Sequence, residues 1–344
     1  MSEVLLRDLT TLRVGGPARS YVRATTEAEL IAAVTAADDA GQPVLLVAGG
    51  SNLLVADEGF AGTVIQVATS GVDAVSSGPQ IDVAVQAGVV WDDFVLRTVT
   101  EGWSGVEALS GIPGAVGSTP IQNVGAYGQE VASTIAEVKV WDRRLRGIRR
   151  FAGQECSFGY RHSRFKADPG RFVVLDVVFR LDIDTLGQPI RYAELARTLG
   201  VEAGERAPLD AVREAVLELR SGKGMVLDEA DHDTWSAGSF FTNPFLDTEQ
   251  AAALPEAAPR YPQPDGTVKT SAAWLIEHAG FGKGYALSPD APASLSTKHT
   301  LALTNRGGAG AEDLLALART VRDGVERAFG VRLVNEPVLV GCTL

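Results

Sequence analysis

The chain predicts an α+β fold built from more than one unit. Three features carry that expectation. Helix and strand patterns alternate over the first 70 residues, and strand-like runs with one polar face follow. The third is a glycine excess, 37 of 344 residues, about 11% where ~7% is usual. At this length two or three domains and a large core without staples are expected. Apolar residues make up 45% of the chain, which excludes disorder. With 31 Lys+Arg against 43 Asp+Glu the net charge is −12, so nucleic-acid binding is not expected. Two cysteines, Cys156 and Cys342, cannot form a disulfide framework and point to a reducing, cytoplasmic setting. Charges at Glu3, Arg7 and Asp8 leave no apolar signal core at the N-terminus. No uncharged apolar run approaches the ~18 residues a membrane span needs.

Thr26-Glu27-Ala28-Glu29 reads as a capping box, followed by Leu30, Ile31, Val34 and Ala37 at helical spacing and Gly41 as the stop. Residues 44–47 form a short apolar strand that runs into Gly49-Gly50-Ser51-Asn52, and 63–67 form another. These predict a small α/β layer over residues 15–70. Ile81, Val83, Val85 and Ala87 alternate with Asp82, Ala84 and Gln86, a strand with one polar face. A helix is expected over 92–101, ended by Gly102, then a glycine-rich tract over 105–128. Strands over 138–141 and 172–181 flank a charged hairpin at 143–150, and 209–219 is an amphipathic helix. A polar, acidic stretch covers 221–233, a Pro-rich loop 255–264, helices 272–279 and 313–329, and a last strand 338–340.

Much chemistry is absent. His162, His232, His278 and His299 do not form H-E-x-x-H, and the two cysteines give no zinc spacing, so no metal is expected. There is no P-loop and no G-x-S-x-G elbow. Gly280 to Gly284 is not a dinucleotide fingerprint, because Tyr285 follows and no strand precedes it. What remains is two glycine tracts, Ala48 to Leu54 and Gly111 to Ser118, the second continued by Asn123-Val124-Gly125-Ala126-Tyr127-Gly128. Either could be an ordinary tight turn. Either could also let backbone amides approach an anionic ligand.

Together these tracts resemble the flavin-binding domain of the vanillyl-alcohol-oxidase-like flavoproteins. Residues 120–128, Pro-Ile-Gln-Asn-Val-Gly-Ala-Tyr-Gly, are similar to one member family, the UDP-N-acetylenolpyruvoylglucosamine reductases. Cys156 to Lys166, Ala237 to Pro244 and Asn335-Glu336-Pro337-Val338 agree, and the likeness runs from Gly15 to Gly341. The resemblance implies a two-part FAD-binding region of the vanillyl-alcohol-oxidase type plus a smaller C-terminal α/β substrate-binding domain. The expected divisions are 1–70 and 71–220 for the FAD-binding subdomains, 221–328 for the substrate domain, and 329–344 returning to the active site.

The implied reaction reduces the enolpyruvyl ether of a UDP-sugar to UDP-N-acetylmuramate for peptidoglycan. Non-covalent FAD is the cofactor and NADPH the co-substrate, with no nucleic acid, membrane or obligate protein partner. FAD would be held by Gly49, Gly50, Ser51, Asn52, Leu53, Gly111, Ile112, Pro113, Gly114, Gly117, Ser118, Asn123, Gly125, Ala126 and Tyr127. The catalytic residues implied are Arg161, a planar cation for the carboxylate, Ser239, a proton donor, and Glu336, a supporting carboxylate. Tyr160, Tyr192, Lys223, Asn243 and His299 are implied around the rest of the substrate, with Tyr192 in the tyrosine loop of the longer subtype.

Two departures stand out. Thr242 occupies a position where the family often has Lys, and an acidic run, 228–233, lies between Lys223 and Ser239. The alternatives are a flavin oxidase of the same fold acting on an alcohol or sugar, and a flavin- or nucleotide-binding module without turnover. Colour separates them. The reductase reading expects a yellow protein that NADPH bleaches without oxygen and the enolpyruvyl UDP-sugar recolours. Bleaching by an alcohol with oxygen as reoxidant supports the oxidase, and a colourless protein that takes up no FAD overturns both enzyme readings.

Overall fold

A computed structural model describes residues 4–344; Glu3, one of the charges in the N-terminal reading, lies outside the described residues. The residues form two compact units that the chain visits in turn. One takes 19–49 and 61–222; the other takes the N-terminal residues through Ala18 with 50–60 and 223–344. Segment 1–70 is thus shared between the units, while 329–344 lies in the same unit as 223–328. Strand pairing is the cause: Val338–Val340 lies parallel to Leu53–Val55, with Val338 opposite Leu53. A parallel pair needs a long crossover, and here most of the chain supplies it.

In the unit of residues 19–49 and 61–222, Thr26 and Glu29 cap the helix Glu27–Asp39 reciprocally. Gly41 follows it at φ 61°. Val44–Val47 pairs in parallel with Phe60–Val67, which lies between it and Ala18–Ala24 in a three-stranded sheet. Leu30, Val34, Ile65, Val173 and Leu175 share one core. The larger sheet runs Gly147–Ala152, Ile135–Asp142, Phe172–Ile183, Gln80–Gln86, Val72–Ser77, antiparallel throughout. The alternation read at 81–87 holds, since Ile81, Val83 and Val85 are buried. Helix Trp91–Glu101 locks onto this sheet through Trp91, Phe94 and Phe179, whose ring centroids lie 5.0–5.8 Å apart. The expected tyrosine loop contains a short helix, Ala193–Leu199. It packs with Leu209–Gly222 around Leu195, Val212 and Val216.

The other unit centres on helix Ala311–Phe329. Leu314 and Val321 meet Leu12, Leu54, Phe240, Phe241 and Leu275 in its core. Three carboxylates of the acidic run are paired, and of these only Asp233 is buried. Glu229 pairs with Arg13 at 2.9 Å, Asp231 with Lys298 at 2.5 Å and Asp233 with Arg306 at 2.9 Å. Among the described residues no helix is long and apolar enough to cross a membrane. Cys156 and Cys342 are free thiols, and burial pushes Cys156 up to about 12.

Candidate active site

The second glycine tract is gripped from behind by the corner joining strand Gln80–Gln86 to helix Trp91–Glu101. Val116 N–H donates to Val89 O at 2.9 Å, Gly117 N–H to Ala87 O at 2.8 Å, and Trp91 N–H to Gly114 O at 3.0 Å. Trp91 Nε1 reaches Leu109 O at 3.0 Å. Gly111 N–H donates to Asp92 Oδ1 at 2.6 Å, and Arg213 grips that carboxylate bidentately at 2.7 and 2.8 Å. Burial alone would raise the Asp92 carboxyl, but Arg213 and the Gly111 amide outweigh it and hold it below the usual carboxylate range.

Held this way, Gly114 meets the first tract. A Cβ on Gly49 would lie 2.6 Å from Gly114 Cα, so the contact exists only because residue 49 is glycine. Next in sequence, Gly50 takes φ 57°, and a Cβ there would lie 1.8 Å from Leu9 O. Among the described residues the amides of Gly49, Gly50 and Ser51 find no protein acceptor. Successive donors of this kind fit the diphosphate of a dinucleotide. In the second tract Gly111, Gly117 and Ser118 give their amides to Asp92, Ala87 and Ala115. The amides of Ile112 and Gly114 find no protein acceptor among the described residues.

Arg161 stands at the tip of a two-residue hairpin. Gly159 and His162 exchange backbone bonds at 3.1 and 3.2 Å. Arg161 takes φ 51°, a left-handed setting that costs a non-glycine residue roughly 1–2 kcal/mol. The motif 121–125 braces this turn. Asn123, 1% exposed, donates from Nδ2 to Gly159 O at 3.1 Å and to Glu130 Oε2 at 2.8 Å, and its Oδ1 accepts from Ala132 N–H at 3.1 Å. Arg161 Nη2 donates to Gly125 O at 3.2 Å, and Ser163 Oγ to Ile121 O at 2.5 Å. Ala126 N–H and carbonyl belong to the short ladder Gly125–Ala126 with Gln129–Glu130. Tyr127 meets Tyr192 edge to face at 5.5 Å. Tyr192 is 44% exposed, so it is not a core aromatic, and Tyr160 is also exposed. Arg220, near the end of helix Leu209–Gly222, is 8% exposed. Burial pushes it down to about 10, against the opposing pull of Tyr127 and Asp92.

In the other unit, backbone bonds link the segments that carry Asn52, Ser239 and Glu336. Glu336 N–H donates to Phe240 O at 2.8 Å, Thr242 N–H to Val334 O at 3.0 Å, and Val338 N–H to Asn52 O at 2.9 Å. Asn52 Nδ2 reaches Glu336 O at 3.3 Å, and Leu53 opens the strand that pairs with Val338–Val340. Phe240 and Phe241, each 1% exposed, anchor the segment after Ser239. Phe240 N–H donates to Leu301 O at 2.7 Å, and Ala302 N–H to His299 O at 3.1 Å, so the His299 loop adjoins the segment of Ser239. Asn243 Oδ1 accepts from Ala272 N–H at 2.9 Å at the start of helix Ala272–His278. Thr242 Oγ1 donates to Val334 O at 3.3 Å. Lys223 follows directly on helix Leu209–Gly222. No cluster among the described residues could hold a metal.

Sequence reasoning missed Asp92, Arg213 and Glu107. Glu107 is fully buried and accepts from Gly105 N–H at 2.7 Å, Gln188 N–H at 2.6 Å and Gln129 Nε2 at 2.8 Å. It ties the approach to the second tract to the segments that carry Tyr127 and Tyr192. A lone acidic residue beside a glycine tract gives no sign of such partners.

Comparison with known proteins identifies the family. Residues 18–144 match the model of an FAD binding domain, and 229–340 match the C-terminal domain of UDP-N-acetylenolpyruvoylglucosamine reductase. The chain is 60% identical to the UDP-N-acetylenolpyruvoylglucosamine reductase of Cutibacterium acnes, over 99% of this chain and 90% of that protein. It is 57% identical to that of Thermobifida fusca, over 99% and 98%. A crystal structure of UDP-N-acetylenolpyruvylglucosamine reductase from Thermus caldophilus is 27% identical, covers 98% of both chains and superposes with a TM-score of 0.67. The two-part FAD-binding region and the C-terminal domain are therefore those of this fold.

Gly49→Ala tests the contact between the tracts. The added Cβ must displace Gly114, so FAD should be lost on gel filtration while the far-ultraviolet circular dichroism stays native. Full retention of FAD would mean that the contact is not needed for the cofactor.

Proposed function

The chain belongs to the UDP-N-acetylenolpyruvoylglucosamine reductase family, and on that premise we propose which residues perform each part of the reaction. It is an FAD-dependent oxidoreductase that reduces the enolpyruvyl ether of a UDP-amino sugar to UDP-N-acetylmuramate in peptidoglycan precursor synthesis, with NADPH as reductant. FAD, when bound, supplies hydride transfer from NADPH to the enolpyruvyl group. The amides of Gly49, Gly50 and Ser51 hold its diphosphate, supported by their lack of protein acceptors among the described residues.

Hydride addition at the terminal vinyl carbon turns it into a methyl group. Negative charge then gathers on the neighbouring carbon and its carboxylate. Arg161 offsets that charge, because a guanidinium stays protonated and matches a carboxylate with two parallel bonds. Ser239 Oγ–H gives the proton that completes the lactyl ether. A serine hydroxyl is a weak acid, so it serves only where the accepting carbon is strongly basic. Glu336 supports Ser239. The observation that carries this pairing is the bond from Glu336 N–H to Phe240 O at 2.8 Å, which joins the segments that carry the two residues. Tyr160, Tyr192, Lys223, Asn243 and His299 bind the UDP-sugar; the exposure of Tyr192 supports its part. Two unpaired thiols support a cytoplasmic setting.

Ser239→Ala separates the steps. NADPH should still bleach the bound flavin at a near-normal rate. Recolouring by the enolpyruvyl substrate should slow by about 10²-fold, the size of a lost general acid. Equal slowing of both half-reactions would refute the proton-donor role.

A further inference from the structure

Arg161 keeps a backbone setting that an arginine does not choose, so something must hold its turn. Asn123 holds the near side through the Gly159 carbonyl. On the far side, Lys166 Nζ donates to the Arg161 carbonyl itself at 3.1 Å. Lys166 lies on the one-turn helix Arg164–Ala167. Its amide and that of Phe165 donate to Ser163 Oγ at 3.3 and 3.1 Å. Ser163, fully buried, is tied in turn to Ile121 O at 2.5 Å. The ammonium therefore reaches Arg161 from a fixed base. An ordinary backbone at Arg161 would swing its carbonyl away from Lys166 and break a charge-assisted bond.

We propose that Lys166 is a positioning residue: its ammonium, bonded to the Arg161 carbonyl, keeps the guanidinium where it receives the substrate's carboxylate. This rests on the reading that Arg161 is the carboxylate's partner. Lys166 is assigned no contact with the carboxylate or the cofactor; the role proposed for it acts through Arg161.

The test compares two ligands of the FAD-loaded enzyme by calorimetry. UDP-N-acetylmuramate carries the lactyl carboxylate; UDP-N-acetylglucosamine is the same UDP-amino sugar without it. Lys166→Met keeps the apolar stem and removes the ammonium. It should weaken UDP-N-acetylmuramate by about 10-fold, the loss of one charge-assisted contact, and leave UDP-N-acetylglucosamine unchanged. Lys166→Arg should restore most of the difference. In an Arg161→Lys background, Lys166→Met should add little, because the two act as one unit. No change with either ligand, or equal weakening of both, overturns the proposal. Arg161→Lys alone distinguishes the failures. If it weakens the acid sugar selectively and Lys166→Met does not, only the positioning role falls. If it changes neither ligand, the Arg161 assignment falls and the proposal with it. Should Lys166→Met lose FAD, Lys166→Gln is measured in its place, with the same selective loss expected and the same results contradicting it.

Discussion

The backbone contact between Gly49 and Gly114 is the constraint on which the arrangement of the two glycine tracts depends. It brings a strand end and a loop far along the chain close enough that no side chain fits between them. Everything around it keeps it in place. Trp91 and Asp92 fix the second tract by backbone and carboxylate bonds. Arg213 fixes Asp92. The same tract continues into Asn123, which braces the Arg161 turn. One run of small residues therefore meets the tract proposed to hold the flavin diphosphate and, through 121–125, braces the cation read as the carboxylate's partner.

The ligands of this enzyme are polyanions and the chain carries −12. The two facts agree once charge is counted locally. Part of the acid is paired within the protein, as in Glu229, Asp231 and Asp233 with their Arg and Lys partners. Exposed pairs of this kind add little stability, about 0–1 kcal/mol each. Their effect is to neutralise part of that acid locally, so the net charge overstates the negative potential of this segment. Backbone amides at 49–51 then supply positive potential without any net charge.

Local structure was legible wherever the signal was local. The capping box at Thr26, the alternation at 81–87 and the strand 44–47 all sit where pattern places them. Strand Ala18–Ala24 was not expected, because its Arg19, Ser20 and Arg23 break any apolar alternation. Long-range pairing was not legible either. Nothing in Leu53–Val55 says that it pairs with Val338–Val340, and that pairing is why residues 50–60 join the unit of 223–344. In the candidate site, the glycine tracts and the motif around Arg161 could be read from residue type and order. The buried state of Arg220 and the bracing roles of Asp92, Glu107 and Asn123 could not, since each depends on which distant amides a side chain meets.

The central claim is that backbone amides hold the cofactor's diphosphate while Arg161 holds the carboxylate that gathers charge during reduction. A crystal structure of the enzyme with FAD and UDP-N-acetylmuramate measures both at once. The account expects diphosphate oxygens within hydrogen-bond distance of the Gly49, Gly50 and Ser51 amides, and the lactyl carboxylate paired with the Arg161 guanidinium. A diphosphate bound away from those amides, or a carboxylate paired with a different cation, would contradict it.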